Sequence, residues 1–231
     1  MSKDHIYDVL IVGAGIAGTE AALGCSKAGL DTLLVTTILD SSYNLFSQTT
    51  LNAPENSFMA QAVERIGTHH IRPWELHRTA KYALEHTQHL HSLQSNVSGL
   101  LVEDNQVTGV STWEGVSRFA KKTVLCVGSF LEARLTLGSL TEHAGRLSEM
   151  AYDDLYLDLV SRGFQFESLE LEAKDVQPSY KVRCKVFSQE FDQHFQSHRL
   201  KNLYAVGLCA FGNMSYEEAA LQGVHLARVL S

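Results

Sequence analysis

No run in this 231-residue sequence reaches the about 18 to 20 apolar residues that a membrane-spanning helix requires. Low-complexity tracts and internal repeats are absent too, which leaves a globular chain of one large domain, or one domain with a small annexe. No signal peptide fits the start, where Lys3 and Asp4 lead directly into an apolar stretch. Positive charge is not in excess. Lys and Arg number 19 against 26 Asp and Glu, a formal net charge of -7, which argues against a nucleic-acid surface. Lys121-Lys122 and Arg199 with Lys201 form no basic stripe. Cysteine is sparse: Cys25, Cys126, Cys184 and Cys209 lie far apart with no CxxC pair, so a reducing, cytoplasmic compartment is the expectation. The eleven histidines, His69-His70 and His86, His89 and His91 among them, match no zinc spacing, and no metal is expected.

What is present is concentrated first in Tyr7 to Glu20, YDVLIVGAGIAGTE. Residues 6–12 form a short apolar run of the kind a buried parallel strand shows. Gly13, Gly15 and Gly18 follow, and then residues 19–29, small and apolar enough for a helix packed on a sheet. In such a turn the first glycine makes the bend, the second lets the backbone approach a pyrophosphate, and the third lets helix and strand touch. The free N–H groups of the helix start face the phosphates. This is a dinucleotide-binding pattern. Residues 31–37 read as the second parallel strand. Its end ordinarily carries an Asp or Glu for the adenosine ribose, and here Thr36 and Thr37 stand there. That departure counts against a standard NAD site.

Residues 38–56 read as a loop lying over the nucleotide site. Helices are expected at 57–66, with Asn56 as a cap, and at 73–86, with proline at its start. A third parallel strand is expected at 90–94. Residues 97–103, 106–113 and 116–120 read as an antiparallel meander with turns at Asp104-Asn105 and Glu114-Gly115. A separate apolar strand at 122–127 then ends in Gly128-Ser129-Phe130. Meander followed by strand is the layout of FAD-binding rather than plain NAD-binding domains. Residues 135–146 look irregular. Residues 148–161 read as a helix capped by Ser148, and 164–171 with 180–187 as a hairpin. Residues 203–206 form a short strand ending at Gly207, and 215–230 a helix with Ser215 and Glu218 as a capping box. Ala219, Ala220, Gly223 and Ala227 give that helix a small-residue stripe for close packing.

Three glycine-marked strand ends, VGAGIAG, VLCVGSF and LYAVGLCAFGNMSYEEAALQG, together resemble the GidA or MnmG family, flavoproteins that modify the wobble uridine of tRNA. The opening GAGIAGTEAA resembles the family's GAGxAGxEAA. Val127 to Leu131 resemble its TGTFL-like strand end, and Ser215 to Gly223 its GYEEAAAQG helix start. The family's second strand likewise ends in threonine. The resemblance implies an α/β fold: a Rossmann-like FAD-binding domain with a central parallel sheet, flanking helices and a three-stranded antiparallel meander. It covers residues 1–231 as a single FAD-binding domain, with 135–200 as a small irregular α+β annexe.

By the same resemblance Gly13, Gly15, Ile16, Ala17 and Gly18 hold the FAD pyrophosphate, and Thr36 and Thr37 face the adenosine ribose. Gln94, Ser95 and Val97 stand at the adenine edge, and Gly128, Ser129 and Phe130 pass near the adenosine half. Gly207 and Leu208 meet the ribityl and phosphate region. Ser215, Tyr216 and Glu217 aim backbone N–H groups at the flavin, with core packing the rival reading for Tyr216. Glu20 either helps at the helix start or is a surface charge. Cys209 either exchanges electrons with the flavin or is inert packing. The departures bear on activity. Residues 44–56 hold neither the cysteine nor the glycines of the family's loop, and neither its inserted nucleotide-binding domain nor its helical tRNA-binding region has a counterpart. The tRNA-modifying activity is therefore not carried over. The catalytic residues are left open, as is the oligomeric state, and direct tRNA binding is not expected. Four readings compete. They are a flavin-dependent oxidoreductase served by a reductant or protein partner, a non-catalytic FAD-binding module, an accessory of tRNA modification, and, disfavoured, an NAD-dependent dehydrogenase.

Overall fold

The apolar run that opens the chain becomes β1 (Ile6–Val12), and its alternate residues feed two cores: Val9 and Ile11 on one face, Leu10 and Val12 on the other. A strand buried on both faces needs cover on both, as parallel sheets do. The computed structural model describes residues 5–173 and 176–231. After β1 come α1 (Ile16–Lys27), β2 (Thr32–Thr36), a 3-10 turn at Leu39–Ser41, and β3 (Thr49–Thr50). Next are α2 (Phe58–Ile66), β4 (His70–Ile71), α3 (Pro73–His86) and β5 (Leu90–Gln94). The meander follows as β6 (Val97–Glu103), β7 (Gln106–Thr112) and β8 (Ser117–Leu125).

β5, β2, β1 and β8 pair in that order, all parallel, and β15 (Leu203–Ala205) joins β8 in parallel as well. The expected third meander strand and the expected apolar strand at 122–127 are one strand. Residues 117–119 of β8 run antiparallel to β7, while the strand from Phe119 onward runs parallel to β1. One strand therefore belongs to both the meander and the nucleotide-binding sheet, because no glycine or proline interrupts it between Phe119 and Val124. Asp104 and Asn105 both take positive φ, as a two-residue primed hairpin turn requires.

Several boundaries depart from expectation. α1 starts at Ile16, inside the glycine run. Ser57, not Asn56, caps α2, its Oγ accepting from the Ala60 N–H at 3.0 Å, while Asn56 sits at φ 63°. Residues 135–146 are ordered into β9 (Arg134–Leu137), β10 (Leu140–Glu142) and β11 (Ala144–Arg146), the last pairing with β12 (Glu149–Met150). Ser148 lies in the left-handed turn between those two strands and caps nothing; α4 (Asp153–Ser161) begins five residues later. β13 (Phe166–Ala173) and β14 (Tyr180–Phe187) form the expected hairpin, and with β9 and β10 they build a four-stranded sheet around its own core of Leu135, Tyr180, Val182 and Cys184. Lys174 and Asp175 lie outside the described residues. The short α5 (Leu208–Phe211) was not anticipated.

The closing helix, α6 (Tyr216–Leu230), is capped as the sequence suggests. Ser215 Oγ accepts from the Glu218 N–H at 3.1 Å, and Glu218 Oε2 accepts from the Ser215 N–H at 2.7 Å. Its small stripe packs on α1, where Gly223 and Ala227 leave no room for larger side chains beside Ala17 and Gly24. Ser215→Ala is expected to lower stability by about 1 kcal/mol, read as a reduced urea midpoint at unchanged slope. Among the described residues no helix is long and apolar enough to cross a membrane.

Candidate functional site

All the parallel strands of the sheet but β5 send their C-terminal ends into one cleft of about 730 Å³. Gly13 follows β1, Thr36 ends β2 with Thr37 next, Cys126 to Phe130 follow β8, and Val206 and Gly207 follow β15. This is where open α/β sheets bind ligands.

The three opening glycines divide their labour. Gly13 takes φ 102°, and a Cβ there would lie 2.4 Å from the Cys126 carbonyl oxygen. A Cβ on Gly18 would lie 2.0 Å from the Gly13 carbonyl oxygen, so Gly18 serves packing and does not line the cleft. Gly15 is different: a Cβ there would meet no protein atom within 4 Å and would project into open space. Gly15 is also the N-cap of α1, where no side chain caps the helix and the first turn holds no acid. The N–H groups of that turn are thus open to an anion, whereas Ser57 and Ser215 close the starts of α2 and α6.

Gly13, Gly15, Ile16, Ala17, Thr36, Thr37, Gly128, Ser129, Phe130, Gly207, Leu208, Ser215, Tyr216 and Glu217 come together along the cleft. Gln94, Ser95 and Val97 do not line it. Gln94 Oε1 reaches the Leu39 N–H, Ser95 Oγ donates to Glu114 at 2.6 Å, and Val97 is core. That Ser95 hydrogen bond is the main reason the Glu114 carboxyl is held down at about 2. Two backbone N–H groups at the far end are engaged within the protein. Gly207 donates to Gln222 at 2.7 Å, and Ser215 to Glu218. The side chains of Tyr216 and Glu217 hold the facing loop, accepting from the Phe46 N–H at 3.1 Å and the Asn52 N–H at 3.0 Å.

That loop lines the cleft from Ser41 to Leu51 as its side wall, as its place after β2 suggests. Glu20 anchors it from below. Glu20 is neither at the ligand nor on the surface. Its buried carboxylate accepts from Tyr43 Oη at 2.5 Å and from the Phe58 and Met59 N–H groups at 2.7 and 2.8 Å. Burial raises its pKa, against the pull of those three donors. Cys209 does not line the cleft. It is wholly buried against the Leu125 and Val206 carbonyls, and burial pushes its thiol up to about 11, so it is inert packing. No group of three or more metal-ligating side chains exists among the described residues.

The sequence gives no sign of a second set. Arg146, Glu149 and Tyr152 reach the cleft from the β11–β12 hairpin and the start of α4, together with Phe46, Tyr180 and Met214. Among the described lining residues Arg146 is the one basic side chain, and it forms a fork-like pair with Glu149, Nε to Oε1 at 2.5 Å and Nη2 to Oε2 at 2.9 Å. Tyr152 Oη is buried against Thr37 without closing a well-aligned hydrogen bond, and burial raises its pKa against the pull of Thr37. An uncapped helix start, a glycine facing open space and an orphaned buried hydroxyl are what a phosphate-bearing nucleotide fits.

The chain spans about a third of the length of the curated relatives it matches. One is the tRNA uridine 5-carboxymethylaminomethyl modification enzyme MnmG of Chlamydia caviae, 28% identical in an alignment of 192 residues that covers 71% of this chain and 31% of that one. Among solved structures it is similar to the GidA-related protein of Thermus thermophilus, 42% identical with a TM-score of 0.89 and 98% of each chain covered. The GidA structure of Aquifex aeolicus, 16% identical, shares the fold at a TM-score of 0.86 over 96% of this chain and 62% of that one. The family profile described as glucose inhibited division protein A matches residues 8–75 and 68–172. With the glycine turn, the meander and the β8 end all inside the matched region, the chain belongs to the glucose inhibited division protein A family.

Proposed function

We propose that this chain binds FAD, with the pyrophosphate at the start of α1 and the flavin toward the start of α6. The observation that carries the reading is the open α1 N-terminus at Gly15, set in a cleft that continues to Tyr216 and Glu217. Gly15, Ile16 and Ala17 would hold the pyrophosphate with backbone N–H groups, and Thr36 and Thr37 would face the adenosine end. Gln94, Ser95 and Val97, outside the cleft lining, would stand behind the adenine edge. When bound, FAD supplies redox chemistry, and the chain's residues position it and shield it. The Phe46 and Asn52 N–H groups, held by Tyr216 and Glu217, keep the side wall in place along the cofactor.

A binding module is the preferred form of this reading. Of the described lining side chains, Arg146, Glu149 and Glu217 are engaged with one another or with the wall and Glu170 accepts from Lys181, which favours a site that holds a cofactor over one that moves a proton. A flavin-dependent oxidoreductase of unknown substrate is the second form. A role beside tRNA uridine modification is supported by the names of the relatives alone.

The purified protein mixed with FAD is expected to take up the cofactor and show a flavin absorption spectrum. Gly15→Asp, which puts a carboxylate where the anion would lie, is expected to stay colourless while remaining folded. A wild-type protein that cannot take up FAD overturns the reading. Rapid mixing of the loaded protein with NADH or NADPH separates the two forms: bleaching supports the oxidoreductase, and an unchanged spectrum the module.

A further inference from the structure

β2 ends at Thr36 and Thr37 follows, so the place that ordinarily presents a carboxylate to a ribose presents hydroxyls instead. The fold brings a carboxylate there from over a hundred residues away. Glu149, the first residue of β12, is buried in the cleft lining, and its Oε2 accepts from Ser41 Oγ at 3.2 Å. Ser41 closes the 3-10 turn that follows β2. Arg146 fixes that carboxylate with its two-bond fork. Its guanidinium is itself held by the Asn44 and Ser41 carbonyls at 3.3 and 3.4 Å and lies over the Phe46 ring. A carboxylate has about four acceptor sites. Arg146 Nε, Arg146 Nη2 and Ser41 Oγ use three, which leaves one on Oε1.

Three residues further on, Tyr152 is 2% exposed and lines the same cleft. Its Oη lies against the backbone and side chain of Thr37 without closing a well-aligned hydrogen bond. A buried hydroxyl without a partner destabilises a fold, so its retention in a ligand cleft points to a partner that arrives with the ligand. The orphaned hydroxyl and the carboxylate with a spare acceptor site sit together where β2 ends.

We infer that Glu149 and Tyr152 recognise the ribose of the adenosine half of FAD, in place of the acidic residue that β2 lacks. The inference rests on the FAD reading above. Glu149 accepts a hydrogen bond from a ribose hydroxyl, Tyr152 Oη pairs with a sugar oxygen, and Arg146 is a positioning residue for Glu149. The rival is purely structural: the Arg146–Glu149 pair would only staple residues 41–46 to the β11–β12 hairpin.

Calorimetric titration separates the two, using FAD and its analogues lacking the adenosine 2′- or 3′-hydroxyl. Wild-type protein is expected to bind FAD about tenfold more tightly than at least one of the analogues. Glu149→Gln and Tyr152→Phe are expected to lose about tenfold in FAD affinity and to stop discriminating between FAD and that analogue. Tyr152→Phe removes only the unpaired hydroxyl, so its ligand-free unfolding midpoint should equal or exceed that of wild type. Variants that bind FAD like wild type, or that lose affinity equally for FAD and both analogues, overturn the inference and leave the FAD reading standing. A wild-type protein that binds no FAD fails the FAD reading itself and takes the inference with it.

Discussion

Gly18→Ala is expected to destabilise the protein by about 3 kcal/mol or more, while Gly15→Ala leaves stability within about 1 kcal/mol of wild type. Both are single methyl additions in the same turn, and only their surroundings differ. The Gly18 methyl would lie 2.0 Å from the Gly13 carbonyl oxygen and 3.0 Å from the Cys126 side chain. Neither can yield cheaply. The Gly13 carbonyl belongs to the turn between β1 and α1, and Cys126 follows β8 in the middle of the sheet. Relief requires α1 to move off the sheet, and α1 is also packed against α6. The Gly15 methyl meets only open space, and Gly15 has ordinary φ of -67°, so backbone strain does not arise. Urea denaturation of the two variants beside wild type checks the contrast. Equal losses at both positions would contradict the division of roles between packing and ligand.

Removing the Glu20 side chain is expected to cost at least about 3 kcal/mol, a large part of the about 5 to 15 kcal/mol that holds a domain together. Glu20→Ala abandons three buried donors at once: Tyr43 Oη and the Phe58 and Met59 N–H groups. Two of these belong to the first turn of α2, so Glu20 satisfies from a neighbouring helix what Ser57 satisfies for Ala60. The third anchors the cleft wall, whose Tyr43 is wholly buried and packs edge-on against Phe58.

The same carboxyl sets a pH dependence. Burial raises its pKa above the ordinary 4.5. Between the ordinary and the raised value the folded state holds a proton that the unfolded state has released. Stability from this group is therefore complete below the ordinary value and is lost as pH rises through the raised one. Wild type is expected to lose stability relative to Glu20→Gln across that window, measured as urea midpoints from pH about 4 to about 7. A constant difference between the two proteins would mean that the three donors offset burial in full.

Much of the fold was legible because periodicity and punctuation are local. β1, α3, the Asp104-Asn105 turn and the Ser215–Glu218 box are each carried by residues close together in the chain. Boundaries failed where two structures read alike. Residues 148–152 show helical acids and apolar residues, yet Glu149 and Met150 pair with β11, and the helix waits for Asp153. The sequence of β8 reads as two strands, because its first residues resemble a meander strand and its last are apolar like a parallel one. Only its neighbours show that it is both.

For the site, the sequence alone determined the glycine turn, the threonines that end β2, the β8 and β15 strand ends and the start of α6. These are backbone features, set by glycine spacing and strand ends, and residue order suffices to place them. The tertiary structure alone decided what the side chains do. It made Glu20, which the sequence leaves open between a helix-start group and a surface charge, a buried anchor, and it turned Tyr216 and Glu217 toward the loop wall. It also carried Arg146, Glu149 and Tyr152 to the end of β2. The physical reason is range. A helix start can be read from its own residues, whereas a carboxylate's partner depends on where the sheet lays down a segment more than a hundred residues away.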